Sequence, residues 1–313
     1  MDRRPAYWRY TPLLVLGVFA IGFGLLVDNS FYLRIAALVW AMGIAAVGLN
    51  MLMGEAGQVS LGHAAFIGIG SYTVAIGPAQ FGLDPLFCVL IGLFLSCAIA
   101  LVIGRPILRL EGYYLSVATL GLGYLVSLVI VSETALTGGP DGLAVPRATV
   151  FSVRLAGAGI WYWICAACLG IAVLLAINLQ NSPTGRAFRS LHDSETAAAA
   201  LGIDVGAKKL VAFVLAAAYG SFAGSLIALM NGFAAPANAS FIQSIELVAM
   251  VVIGGSGSVL GAVVGAAVLV VLSQVFVSFH DYETLLIGLM IMLFMIFLRR
   301  GIVPGLAHLV GAR

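Results

Sequence analysis

Ten times between residues 11 and 298 the chain runs through apolar residues for about the length of a bilayer-crossing helix. These stretches fall at about 11–27, 33–53, 61–77, 85–103, 113–131, 158–178, 209–230, 242–255, 259–278 and 284–298. About 20 residues of helix cross a hydrocarbon core. In hydrocarbon each backbone N–H and C=O must be bonded internally, which leaves helices or closed barrels as spanning structures. The short alternating segments of a barrel do not occur here. The expected class is therefore an all-α polytopic membrane protein with about ten transmembrane helices, forming a single transmembrane domain over residues 1–313. Composition agrees, at 62% hydrophobic and 9% charged, where a soluble domain is nearer half and a quarter.

The first run follows Arg3, Arg4 and Arg9, as a secretory signal would. It lacks a small-residue cleavage site and more spans follow, so it reads as a retained first span. Ten spans put both termini on one side. With that side cytoplasmic, Arg3, Arg4, Arg9, Arg105, Arg109, Arg186, Arg189, Lys208, Lys209, Arg299, Arg300 and Arg313 lie inside, and only Arg34, Arg147 and Arg154 outside. This asymmetry follows the positive-inside rule and supports the orientation.

Several chemistries find no residues to carry them. The basic residues are scattered over loops, which speaks against nucleic acid. No Gly-x-x-x-x-Gly-Lys-Ser/Thr loop is present, so no nucleotide site is expected in this chain. His63, His192, His280 and His308 lie far apart, and no metal site or catalytic triad is expected. Cys165 and Cys168 form a C-x-x-C amid apolar neighbours and read as small buried residues, not redox or metal groups.

Two connections are long: an outer loop at about 132–157, and an inner segment at about 179–208. The inner one, alanine-rich with interspersed charge from Arg186 to Leu201, predicts one water-exposed helix. Small residues recur every fourth position at Ser60, Ala64 and Gly68, at Gly220, Gly224, Ala228 and Gly232, and at Gly257, Gly261 and Gly265. On helices each set forms a flat stripe for close contact. GEAGQVSLG (54–62) and VIGGSGSVLG (252–261) resemble one another, and glycine-interrupted segments of this kind point to discontinuous helices beside a transport pathway. Gln58, Ser60, His63, Gly254, Gly255 and Gly257 are accordingly candidate pathway residues. Gln58, Ser60 and His63 are expected to satisfy backbone groups freed by the first break. His63 also reads as a packing histidine. Glu246, a carboxylate inside a span, reads either as a pathway group or as a capping residue near the span's end.

GQVSLGHAAFIGIGSY (57–72), TGGPDGL (137–143), NSPTGRAFRSLHDSETAAAALGI (181–203) and SIELVAMVVIGGSGSVLGAVVGAA (244–267) together resemble the signature blocks of LivM-type permeases, membrane subunits of branched-chain amino acid ABC importers. The resemblance implies a type II importer fold in a bacterial inner membrane. It also implies a LivH-like second permease, two ATP-binding subunits and a periplasmic substrate-binding protein as partners. ATP and magnesium would be bound by the ATP-binding subunits, with no cofactor in this chain. Residues about 181–208 resemble a coupling segment, in which Arg186, Arg189, Glu195, Ala197, Ala198 and Gly202 would meet the ATPase: the small residues permit close approach and the charges pair at the rim. Thr196 stands where the family has a glutamate, with Glu195 one position early. Related permeases carry urea, short amides or aromatic carboxylates, which keeps the cargo open. A stand-alone secondary transporter is the rival class, and it leaves the inner helix unexplained.

Overall fold

The computed structural model describes residues 10–150, 153–276 and 301–309, with the isolated positions 285, 288–290, 292, 293 and 296. The tenth predicted span, 284–298, therefore lies largely outside the described residues. The other nine each coincide with a helix: α1 (Thr11–Leu26), α2 (Ser30–Asn50), α3 (Ala64–Phe81), α4 (Pro85–Ile107), α5 (Tyr113–Ser132), α7 (Ala158–Asn181), α10 (Val205–Asn231), α11 (Phe241–Gly254) and α12 (Val259–Phe276). Among the described residues α2, α4, α5, α7, α10 and α12 are long and apolar enough to cross a membrane, while α1 and α11 are shorter apolar helices. The short α6 (Thr134–Thr137) lies in the loop after α5, α8 (Pro183–Asp193) and α9 (Glu195–Ala200) fill the connection from α7 to α10, and α13 (Ile302–Leu309) follows the last run.

Helix starts follow local chemistry. Asn29 and Asp84 accept the backbone N–H of Phe31 and Leu86 at 2.9 and 2.8 Å. Ser182, Asp204 and Ser240 cap α8, α10 and α11 in the same way. Each cap satisfies one of the N–H groups that a helix start leaves open. Gly82 and Gly232 end α3 and α10 in the left-handed region, where glycine carries no Cβ penalty.

The helices enclose α2, whose apolar window is 83% buried, against 22% for α5 at the periphery. α2 packs on α7, α10 and α12, while α10 also holds α3 and α4. The core runs through Trp40, Ile44, Leu49, Phe66, Ile67, Phe213 and Ile253. At the end of the bundle away from α8, β1 (Leu143–Ala144) pairs antiparallel with β4 (Phe233–Ala234), pinning the loop after α5 to the end of α10. β2 (Thr149–Val150) and β3 (Val153–Arg154) form a small hairpin.

Two of the small-residue stripes are real helix contacts. An added Cβ at Gly224 would overlap the Ile67 carbonyl, and one at Gly265 the Met250 carbonyl. Three members depart from the expectation. Ser60 precedes α3 in non-helical chain, Gly232 is a C-terminal cap, and Gly257 occupies a turn at φ +81°. Four-residue spacing reads as a stripe only where the helix continues, and at these three positions it does not.

Candidate functional site

The first glycine-rich segment is a break, as the sequence suggests. α2 ends in a π turn, Met51–Glu55, a widened turn that recurs at functional sites. Gly57 at φ +69° turns the chain out of the helix, and residues 56–63 run non-helically to the start of α3. Such backbone is tolerated at membrane depth only when buried in protein or lining a cavity. Gln58 N–H returns to the Leu52 carbonyl at 3.0 Å, and further bonds come from other helices. Leu61 N–H donates to Thr119 Oγ1 on α5 at 3.1 Å, Ser116 Oγ donates to the Val59 carbonyl at 3.3 Å, and Ala64 N–H donates to Ser244 Oγ on α11 at 3.1 Å.

That arrangement corrects one expectation. Gln58, Ser60 and His63 are buried, yet they do not serve the freed backbone. Both polar atoms of the Gln58 amide, Ser60 Oγ and His63 Nδ1 make no hydrogen bond among the described residues. The neighbouring helices already supply hydroxyls at the right places. His63 Nε2 instead donates to the Ala216 carbonyl at 3.0 Å, with its ring edge-on to Phe66. His63 thus packs between α3 and α10 through one nitrogen, while Nδ1 makes no hydrogen bond among the described residues. Buried polar groups without partners are costly and concentrate at functional sites.

The second glycine-rich segment turns α11 into α12, with Gly255 at φ +118° and Gly257 at φ +81°. Gly254 and Gly255 are buried and Gly257 is exposed. The likeness of the two segments has a spatial counterpart. Gly257 N–H donates to Asn50 Oδ1 at 2.9 Å, and an added Cβ at Gly54 would stand 2.9 Å from the Gly257 Cα. The two breaks touch. Glu246 is half-buried on α11, where its Oε2 accepts from Gln243 Nε2 at 3.2 Å.

The inner connection differs from a single helix over 186–202. It is two helices, α8 and α9, separated at Ser194, whose backbone is extended and whose Oγ accepts from Ala197 N–H at 3.2 Å. Its charges also find partners within the chain. Arg189 Nη1 lies 3.5 Å from Glu55 Oε2, at ion-pair distance without hydrogen-bond geometry, while Gln180 Nε2 donates to Glu55 Oε1 at 2.8 Å. Arg186 donates to the Asn181 carbonyl at 3.4 Å. Glu195 pairs with Lys209, which is buried on α10. Arg189 and Glu195 pair within the chain, while Arg186 and Arg189 remain exposed. Ala198 is 1% exposed and packs inward, so the open face of α9 is Thr196, Ala197, Ala199 and Ala200. It continues into Leu201, 79% exposed, and Gly202, at φ +81° with open space around its Cβ. Glu55, Gln180, Asn50 and Leu201 are not among the sequence candidates, although the lone polar Asn50 and Glu55 at the end of an apolar run are signals that point to two of them.

A polytopic helical bundle with two touching helix breaks and a two-helix element bonded to one of them has the architecture of a membrane translocation protein. The chain belongs to the family of branched-chain amino acid transport system permease components, whose sequence profile matches residues 31–295. It is 33% identical to the high-affinity branched-chain amino acid transport system permease protein LivM of Escherichia coli, over 93% of this chain and 74% of the relative. It is 24% identical to the LivH permease protein of Salmonella typhimurium, over 80% and 87%. It is 25% identical to the autoinducer 2 import system permease protein LsrC of Yersinia enterocolitica, over 85% and 74%. No solved structure gives a significant match.

Proposed function

We propose that this chain is one of two permease subunits of an ATP-driven importer that brings branched-chain or related small amino acids across the bacterial inner membrane. The observation that carries the reading is the α8–α9 element, which presents an apolar small-residue face outward and is bonded to the first helix break. Family membership and the name of the LivM relative support the cargo class. The 33% identity to LivM against 25% to the autoinducer permease favours amino acids over that second cargo.

In this reading ten spans place both termini in the cytoplasm, and residues 1–313 act as one transmembrane domain. α9 with Ala197, Leu201 and Gly202 sits in a groove of an ATP-binding subunit, as a short helix presents an apolar face to a groove. A periplasmic binding protein delivers cargo to the opposite face. A LivH-like permease completes the pathway between the breaks at 54–63 and 254–258. The chain itself performs no covalent chemistry. Gln58, Ser60 and the free nitrogen of His63 meet polar cargo when the pathway opens, and Glu246 guards its outer half.

The test is uptake in cells carrying inactive ATP-binding subunits. Concentrative uptake disappears on this reading and persists for a stand-alone transporter. Leu201→Asp leaves insertion and thermal stability of the permease unchanged, since surface substitutions cost within about 0.5 kcal/mol, and it releases the ATPase on co-purification. Undiminished co-purification would remove α9 from the docking surface. Calorimetry of the partner binding protein with leucine, urea and an aromatic carboxylate decides the cargo.

A further inference from the structure

The π turn that closes α2, Met51–Glu55, is held from two sides. On the α8 side Glu55, 7% exposed, accepts from Gln180 and faces the Arg189 guanidinium. Arg189 in turn donates to the Gln180 carbonyl at 3.1 Å, so three residues from α2, α7 and α8 close a ring of contacts. Two residues on, an added Cβ at Gly57 would stand 3.2 Å from the His192 Cα, which places the backbone of the break directly on α8. On the other side Asn50 and Gly54 hold Gly257, in the α11–α12 turn. A second ion pair of the inner element, Glu195–Lys209, ties α9 to α10 and belongs to neither break.

We propose that Glu55, gripped by Arg189 and Gln180, is the joint through which a displacement of α8 reaches both broken helices. This rests on the reading of α8–α9 as the element that meets the ATPase. Small displacements are transmitted when packed elements have discrete arrangements and cannot slide freely. Gly57 offers only contact, which a sliding helix can lose. An ion pair with one largely buried partner keeps a fixed register and is screened less by salt than a surface pair. A π turn is a rare, widened turn that recurs at functional sites. Glu55 touches no cargo in this scheme. It is a positioning residue, and it moves the Gln58–Ser60–His63 segment and Gly257 together.

The test uses the assembled importer with its second permease, ATP-binding subunits and binding protein in proteoliposomes, with radiolabelled leucine as probe. Two quantities are read: leucine imported per ATP hydrolysed, and ATPase retained on the permease through size exclusion. Glu55→Gln and Arg189→Gln each lower the ratio about tenfold with the ATPase still bound, and the double variant falls no further, because both act through one contact. Arg189→Lys recovers part of the loss. A single variant that keeps the ratio within about twofold of wild type overturns the joint. So do losses that multiply in the double variant, or loss of the ATPase from either single. If Glu55→Gln fails to insert, Arg189→Gln decides alone, its side chain being 50% exposed on α8. A wild-type complex that holds no ATPase or imports no leucine sinks the proposed function, and the joint with it.

Discussion

Adding one methyl group at Gly70 or Gly224 forces apart the helices that cross most closely beside the first break. A Cβ on Gly70 of α3 would lie 2.7 Å from the Ser221 carbonyl carbon of α10, and one on Gly224 would lie 2.7 Å from the Ile67 carbonyl carbon of α3. Carbon atoms rest about 3.5–4.0 Å apart, so either methyl requires a separation of about 1 Å, which forfeits a quarter to a half of the contact energy along the crossing. The bond from Ser225 Oγ to the Gly70 carbonyl, now 3.1 Å, lengthens past hydrogen-bond range. Overpacking of this kind costs about 3 kcal/mol, and the helix preference of Ala over Gly returns about 0.5–1 kcal/mol. The net loss is about 2–2.5 kcal/mol. At about 2 °C per kcal/mol for a large chain, Tm falls by about 4–5 °C. The assay is tryptophan-fluorescence melting of the permease in detergent. Gly170→Ala on α7 is the control, with nothing within 4 Å of its Cβ, and its Tm holds or rises. Because both methyls open the same crossing, Gly70→Ala with Gly224→Ala costs little more than either alone. A double variant that loses the sum, or singles that match Gly170→Ala, would refute a backbone-on-backbone crossing.

Three further outcomes are expected. Glu195→Gln leaves the buried Lys209 ammonium without its counter-charge and costs about 3 kcal/mol, whereas Lys209→Met leaves only a half-exposed carboxylate and costs less; equal melting temperatures would contradict the assigned burial. Thr119→Val removes the acceptor of Leu61 N–H, an effect of about 1–2 kcal/mol, and speeds hydrogen exchange at that amide about tenfold; an unchanged rate would mean that the break is held by something else. Gly202→Ala costs about 1–2 kcal/mol through its left-handed backbone alone, since no atom stands near its Cβ. A melting curve that is unaltered by Gly202→Ala would show that the α9–α10 turn relaxes out of that conformation.

The spans were legible because apolar runs and caps are local. Asp84–Pro85 and Ser182–Pro183 announce helix starts in the sequence, and the structure begins α4 and α8 there. The glycine-rich breaks were legible for the same reason, since only glycine adopts φ +69° or +118° at low cost. The division of the inner helix at Ser194 was not. Serine between Asp193 and Glu195 reads as one more polar residue on an exposed face, and its capping role depends on an extended backbone that nothing local enforces. The pairing of Arg189 and Glu195 within the chain was equally hidden. Their partners Glu55 and Lys209 are 134 and 14 residues away, and spacing along one helix says nothing of either. Candidate pathway residues are proposed from their type, while the Ser116, Thr119 and Ser244 hydroxyls that hold the backbone around them look like ordinary small residues of spans.

The hydrogen bonds of residues 56–63 also set a timetable for making the protein. Leu61 waits for Thr119, 58 residues later, and Ala64 for Ser244, 180 residues later. At 5–20 residues per second, the second of these partners emerges roughly 10–40 s after the segment that requires it. Unbonded backbone is expensive in hydrocarbon, so until α11 arrives this segment belongs at the water interface or inside the insertion machinery. The break is thus among the last parts of the permease to find its depth, and a chain truncated before α11 exposes it to lipid or to proteolysis.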